Sequence, residues 1–305
     1  MYLIGISVYL QGGYFMSLIS LKNVSYTYPL QKQATIHEYS LDIEAGKVYG
    51  LIGGNDAGKT TICNIMRGFI PSIYQGELTG EVLVKGQPIK SYELGGLASI
   101  IGYSFQNPFT QISGVKETVY EEIAYGMENL GFSREKMMAR VEELIELFHL
   151  EALKHKNPFE LSGGQKQRVA LASIIALDPE VIILDEPTSQ LDPKSTEDIF
   201  TIINMLRQTG KTIILIEHKI DLVAEYCDDV ILMEKGSIVF QGTAKEVLSN
   251  PDVLNHGGQL PQVTRFFMEA VKTGKTAPVT EYPITIKEAK MQLEGMKHNG
   301  LSRIK

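Results

Sequence analysis

The run Gly53-Gly54-Asn55-Asp56-Ala57-Gly58-Lys59-Thr60-Thr61 follows an apolar stretch from Lys47 to Ile52 and leads into a helical stretch from about Thr60 to Arg67. A glycine-rich link from strand to helix restricts the chain to an α/β core with a phosphate-holding loop at a strand end. Glycines let the backbone curl until successive N–H groups face one point. Lys59 then reaches the β- and γ-phosphates of a nucleotide, and Thr60 offers its hydroxyl to Mg²⁺. Taken alone, the pattern also fits a plain glycine turn, so its meaning depends on what lies downstream.

Downstream, Leu161-Ser162-Gly163-Gly164-Gln165-Lys166-Gln167-Arg168 stands just ahead of the strand-like Val181-Ile182-Ile183-Leu184-Asp185-Glu186. A Gly-Gly turn behind a serine, opening onto a helix, presents N–H groups and a hydroxyl to an anion, because helix N-termini carry unsatisfied donors and positive dipole charge. The chain therefore carries two phosphate cradles. Asp185 ends its apolar strand, a position from which a carboxylate reaches a magnesium shell at the C-terminal edge of a sheet.

One chain thus holds, in order, the Gly53–Thr61 loop, Gln106, the serine-glycine run, Asp185-Glu186 and His218. Over roughly residues 17–245 this order resembles the nucleotide-binding subunits of ABC transporters. The resemblance implies an α/β fold: a P-loop ATPase core of mostly parallel sheet, an antiparallel β subdomain, an inserted α-helical subdomain and a small C-terminal extension. It implies an ATP- and Mg²⁺-dependent ATPase that works as a head-to-tail dimer with a second ABC subunit, identical or homologous. Each ATP is then held between the Gly53–Thr61 loop of one subunit and Ser162, Gly163, Gly164 and Gln165 of the other. In that implied site Lys59 neutralises phosphate charge, Thr60, Gln106 and Asp185 attend the metal, Glu186 polarises the attacking water and His218 contacts the γ-phosphate. Tyr28, in Tyr26-Thr27-Tyr28-Pro29, aligns with the aromatic that stacks on adenine, with Tyr26 as its rival. Ser189-Gln190-Leu191-Asp192 matches the loop whose aspartate links the two sites of a dimer. Two residues depart from the family pattern. Asp56 stands where glycine is frequent, and either hydrogen-bonds its own turn or faces the partner; Gln190 replaces a commoner alanine.

Tyr103-Ser104-Phe105-Gln106-Asn107-Pro108, then Gln111, then Thr118-Val119-Tyr120-Glu121-Glu122-Ile123-Ala124-Tyr125-Gly126 resemble the energy-coupling factor and cobalt-type importer ATPases, as does Pro283-Ile284-Thr285 before Glu288-Ala289. That likeness implies a transmembrane coupling subunit and a separate substrate-binding membrane protein as partners. The chain would sit peripherally on the cytoplasmic face of the membrane, with coupling helices received in a groove after Gln106. The cargo would be a vitamin or a metal ion. Glu117, Glu121 and Glu122 then meet basic residues of the coupling subunit or form a solvated helix face. An exporter ATPase and a soluble ABC protein acting on nucleic acid or ribosomes are the alternatives. The second is disfavoured by the lack of long coiled coils or a second phosphate loop.

Composition agrees with this picture. At 305 residues, 44% hydrophobic and 21% charged, the chain can bury one large core and a smaller unit. A net charge of -7 gives no general footprint for nucleic acid, and none is expected as a partner. No run of about 18 apolar residues is present to cross a membrane. Cys63 and Cys227 form no metal-ligand pattern and read as buried thiols. Residues 1–16 read as an N-terminal extension, with Met16 resembling the usual family start, and 17–250 as the ATP-binding domain, its helical subdomain at about 107–175. Residues 251–305 read as a C-terminal extension. There Thr285 and Glu288 form a capping box, and Ile286, Ala289, Leu293 and Met296 form an apolar stripe that packs on the chain's own core or on a dimer partner. From Ser133 to Leu150, Met137, Val141, Leu144, Ile145 and Phe148 make one apolar helix face with Ser133 as N-cap.

Overall fold

Strands β3 (Val48–Gly53), β6 (Ile101–Ser104), β7 (Val181–Asp185), β8 (Thr212–Ile216) and β9 (Asp229–Glu234) lie parallel in one sheet, and β10 (Ser237–Thr243) closes it antiparallel to β9, in the order β10-β9-β3-β8-β7-β6. The reason is legible in the side chains. Every residue of β7 and β8 is buried, as befits strands covered on both faces. The structure is a computed structural model that describes residues 17–189 and 191–298. Residues 1–16 and Gln190, on which two of the sequence expectations fall, lie outside the described residues.

A second sheet, β2-β1-β4-β5, is antiparallel and is built from β1 (Ile19–Thr27), β2 (Ile36–Ile43), β4 (Glu77–Val84) and the short β5 (Gln87–Pro88). β1 and β2 pair from Ile19 opposite Ile43 to Tyr26 opposite Ile36. Gln87 and Pro88 pair back on Val84 and Leu83, and the turn between them is only Lys85-Gly86, both at positive φ. Helix α1 (Lys59–Met66) lies in the cluster between the two sheets, with Ile62, Cys63, Ile65 and Met66 all buried there. Short helices α2 (Phe69–Ser72) and α3 (Leu94–Ala98) precede β6.

Helices α4 (Val119–Asn129), α5 (Arg134–Leu147) and α6 (Gly163–Ile175) form the helical part. Thr118 and Glu121 close a capping box on α4, and Ser133 caps α5 as its sequence position requires. Val141, Leu144, Ile145 and Phe148 are buried against α4 and α6, with Met137 packed beside them. The helix ends at Leu147, three residues short of the expected end, because His149 turns to positive φ. Two of the three glutamates considered for a partner are used internally. Glu121 Oε2 accepts from Thr118 N and Oγ1. Glu122 is only 3% exposed and accepts from Ser113 N and Oγ, both at 2.7 Å. Helical spacing alone cannot show that a carboxylate caps a neighbouring loop.

Helices α7 (Pro193–Gln208) and α8 (Ile220–Tyr226) cover the sheet, and α9 (Ala244–Leu248), α10 (Gln262–Lys272) and α11 (Ile286–His298) complete the chain. Strands β9 and β10 and helices α9 and α10, like the short α2 and α3, were not read from the sequence. The stripe on α11 divides: Ala289 is buried, Leu293 and Met296 are half-buried, and Ile286 is 65% exposed. Thr285 Oγ1 accepts from Glu288 N as a cap should, but the Glu288 carboxylate is drawn to Ile284 N at 3.0 Å and Lys245 Nζ at 2.6 Å. Those bonds clip α11 to the chain's own body, as does Thr264 Oγ1, which is fully buried and donates to Pro283 O at 2.7 Å. Thr264→Val keeps the shape and leaves that carbonyl without its donor, a loss of about 1–3 kcal/mol. A lower urea midpoint, with earlier proteolytic cleavage after residue 272, is the expected result.

Candidate functional site

Parallel pairing brings the functional loops to one edge. Ser104 pairs with Leu184, Asp185 with Ile216, and Gly53 with Met233, so the segments that follow β3, β6, β7 and β8 all emerge at the carboxyl end of the sheet. Gln106 leaves β6 there, Glu186 follows β7, and His218 follows β8.

Gly53 is required at its position. Its φ is +147°, and a Cβ would lie 2.3 Å from Met233 O in the buried core strand β9. Beyond it the loop is pinned by Ala57 O, which accepts from Gly236 N at 2.9 Å, and Ala57 N donates to Gly54 O at 3.3 Å. Lys59 is only 8% exposed and folds its Nζ back onto Gly53 O and Gly54 O at 2.9 and 2.8 Å. Burial lowers its pKa, against the pull of Glu186, Asp185 and Asp56. Asp56 takes the left-handed conformation at φ +61°, which aspartate tolerates, and its exposed side chain borders the cleft.

Asp185 is 8% exposed, and its Oδ2 accepts a 2.6 Å hydrogen bond from Tyr103 Oη. Burial raises the Asp185 pKa and Glu186 adds to the rise, while the Tyr103 bond, Lys59 and Arg67 oppose it. Burial also pushes the Tyr103 hydroxyl up, so the tyrosine is the donor of the pair. Glu186 sits at φ +46° with its N–H on Ile216 O, and both carboxylate oxygens are engaged. Oε2 accepts from Gln106 Nε2 at 2.6 Å, and Oε1 meets His218 Nε2 at 2.9 Å. Three residues 32 to 112 positions apart thus form one triad. A carboxylate gripped on both oxygens has a defined direction, which is what a water-orienting group needs.

Tyr28, Asn55 to Thr61, Gln106, Asp185 and Glu186 line one cleft of about 680 Å³, inside the range of roughly 300–1,000 Å³ usual for small-molecule sites. Tyr28 Oη lies 3.2 Å from Thr61 Oγ1 at its rim. Tyr26 is fully buried, donates to Gln75 O and packs edge-on against Tyr28 at 4.7 Å, so it supports its rival from below. Gly53, Gly54 and His218 line an adjoining pocket of about 230 Å³ that shares Asn55.

Ser162, Gly163, Gly164 and Gln165 line neither. The two glycines are not a turn, as the sequence reading had it; they are the first residues of α6, with Ser162 as N-cap. Gln165 N donates to Ser162 Oγ and Gln165 Oε1 accepts from Ser162 N, so the box uses those two N–H groups while the Ser162 hydroxyl only accepts and keeps its proton to donate. Gly163 N and Gly164 N have no acceptor among the described residues. A Cβ at Gly164 would lie 2.8 Å from Ser195 Oγ, which itself is held by Asp192 at the start of α7.

Several residues of the site went unread in the sequence. Glu217, 3% exposed, accepts from Thr188 Oγ1 at 3.2 Å, and Lys219 Nζ donates to Thr188 O and Oγ1 at 3.1 Å, tying the His218 segment to the loop after Glu186. Tyr103 was read only as part of the run that resembles importer ATPases, with no role of its own. Its signal was available: a buried tyrosine hydroxyl needs a partner.

A fold with a phosphate loop, a second donor-bearing helix start and a gripped carboxylate beside them defines a nucleotide hydrolase. The family model for ABC transporters matches residues 36–189, and the chain belongs to that family of ATP-binding subunits. It is an ATPase that binds ATP. The chain is 38% identical over 291 residues to the energy-coupling factor transporter ATP-binding protein EcfA2 of Streptococcus pyogenes, with 92% of this chain and 99% of that one covered. Among solved structures it is similar to cbiO1 of Clostridium perfringens, part of the ABC transporter complex cbiONQ, with TM-score 0.70, 30% identity, and 83% and 99% of the two chains covered. A dimeric ATP-binding cassette in a post-hydrolysis state bound to ADP and Pi gives TM-score 0.64 at 26% identity, over 74% of this chain and 98% of that one.

Gly53→Ala forces a strained backbone, costing about 1–3 kcal/mol, and drives a methyl into the Met233 carbonyl. Loss of fluorescent-nucleotide binding together with a lower denaturation midpoint is expected.

Proposed function

We propose that this chain is the ATP-hydrolysing energy-coupling subunit of an importer of the energy-coupling factor type, carrying a vitamin or a metal ion. The observation that carries the reading is the division of the phosphate donors. Gly163 N and Gly164 N lie free at the start of α6, outside the cleft formed by the Gly53–Thr61 loop. A donor pair outside its own cleft serves a second subunit, and a dimeric cassette is among the similar structures. Each ATP is then completed by Ser162, Gly163, Gly164 and Gln165 of the partner.

The donor set fits Mg²⁺. Asp185 Oδ1 has no hydrogen-bond donor among the described residues, Thr60 is exposed in the same cleft, and Gln106 lines it too. Hard oxygen ligands of this kind, few in number and shared with phosphates, suit magnesium. When bound, the ion would neutralise charge on the β- and γ-phosphate oxygens. Lys59 leaves the Gly53 and Gly54 carbonyls for the phosphates. Glu186, steered by Gln106 and His218, orients the attacking water, and His218 reaches the γ-phosphate. Tyr28 stacks on the base, with Tyr26 bracing it. Positioning and charge neutralisation supply the catalysis.

Among the described residues no helix is long and apolar enough to cross a membrane. The transport path therefore belongs to other chains: a coupling subunit and a substrate-binding membrane protein, with this ATPase paired beneath them on the cytoplasmic face. The names of the similar proteins support that assignment.

Glu186→Gln keeps the side chain's shape and removes its charge. ATP binding persists and turnover in the assembled complex falls by about 10²–10⁴-fold; near-normal turnover would contradict the role. Tyr28→Ala weakens ATP binding by about 1–3 kcal/mol, read by equilibrium titration. Affinity capture from detergent-solubilised membranes recovers a second ABC subunit and membrane proteins; recovery of ribosomes or DNA instead would sink the transporter reading.

A further inference from the structure

Asp185 is held from behind. Its Oδ2 is committed to Tyr103 Oη at 2.6 Å while Oδ1 has no donor among the described residues. A carboxylate at the end of a strand otherwise swings through a broad torsional well, so a single buried hydrogen bond decides which oxygen is presented. The tyrosine cannot swing either. The Arg67 guanidinium lies 3.8 Å from the centre of its ring and equally 3.8 Å from that of Phe69, and Phe105 packs edge-on at 5.1 Å. Arg67 is itself fixed, with Nε and Nη2 donating to Asn64 Oδ1 at 3.0 and 2.7 Å. It is buried and makes no direct ion pair among the described residues; aromatic faces, one amide oxygen and the nearby Asp185 carboxylate compensate its charge. The result is a rigid column, Phe69, Arg67, Tyr103, standing behind the carboxylate and lining a groove of about 340 Å³ between the sheet and the helical part.

We propose that Tyr103 is a positioning residue, which by holding Oδ2 of Asp185 in a fixed place presents Oδ1 to the divalent cation that accompanies ATP. The proposal rests on the reading of Asp185 as a magnesium ligand. Tyr103 touches neither nucleotide nor metal. Its effect passes through the carboxylate, so it sets the affinity for the metal and leaves the affinity for metal-free nucleotide alone. Groups that orient a metal ligand typically change metal affinity by about 10–100-fold when removed.

The test uses the full-length chain and Tyr103→Phe, which deletes one oxygen and keeps the ring in its stack. A fluorescent ATP analogue is titrated in EDTA and then over a range of Mg²⁺ concentrations. Binding in EDTA is expected to match the parent, and the Mg²⁺ concentration at half of the metal-dependent change is expected to rise about tenfold. In the assembled complex turnover falls at limiting Mg²⁺ and recovers as Mg²⁺ is raised, while KM for ATP at saturating Mg²⁺ stays constant. An unchanged Mg²⁺ midpoint overturns the proposal, and so does weakened binding in EDTA, which would mark the tyrosine as merely structural. Asp185→Asn separates the two readings. If its Mg²⁺ response is that of the parent, the assignment of Asp185 to the metal fails and the proposal with it. If the response is lost in Asp185→Asn yet unmoved in Tyr103→Phe, only the role of Tyr103 fails.

Discussion

Ser104 lies opposite Leu184 and Asp185 opposite Ile216 because β6, β7 and β8 run parallel and share a ladder in register. Everything chemical at the sheet edge depends on that pairing. A one-residue slip in a strand buried on both faces exchanges which side chains point into each layer, and here it would also carry Glu186 away from Gln106 and His218. The strands resist such slippage because their apolar side chains are packed above and below: in β7 and β8 no residue reaches the surface. Each such side chain contributes about 1.5–3 kcal/mol by burial, so register and stability have one source.

The site built on that edge combines restraint with exposure. Asp185 and Lys59 are nearly buried, and burial moves both pKa values toward the neutral form. Such groups hold their charge by facing one another across the loop and, in our reading, by facing phosphate and cation. Glu186 is restrained differently, by left-handed backbone geometry and by a donor on each side. Strained backbone concentrates where a side chain must be aimed. The donors of α6, which in our reading face a partner, show the opposite treatment: an ordinary helix start whose capping box engages Ser162 and Gln165 and leaves two glycine N–H groups without an acceptor among the described residues.

Much of this was legible in the chain. The glycine-rich link announced itself by composition and by its position between an apolar run and a helix. The cap at Ser133 was read from the chain because caps are local, three residues long and chemically narrow, and those at Thr118 and Ser162 have the same local form. Glu122 and Ile286 were not. Glu122 lies on a face that its spacing would give to solvent, yet it is buried as the cap of the loop at Ser113. Ile286 falls on an apolar stripe, yet it points outward because Glu288 is claimed by Lys245 and Ile284. In both cases the deciding group is distant or belongs to another element, and periodicity carries no term for it.

The sequence by itself determined that the fold is α/β and nominated the residues of the site we propose, because phosphate binding demands glycine, lysine and hydroxyl at fixed short spacings. Only the tertiary structure decided how they meet. Gln106, Glu186 and His218 become one triad through sheet register, and Gly53 must be glycine because β9, 180 residues further along the chain, places the Met233 carbonyl where a Cβ would stand. Tyr103 was one residue of an importer-like run in the sequence and became the anchor of Asp185 in the fold. Contacts across 82 residues of chain are set by packing, which sums over the whole core and is written in no single segment.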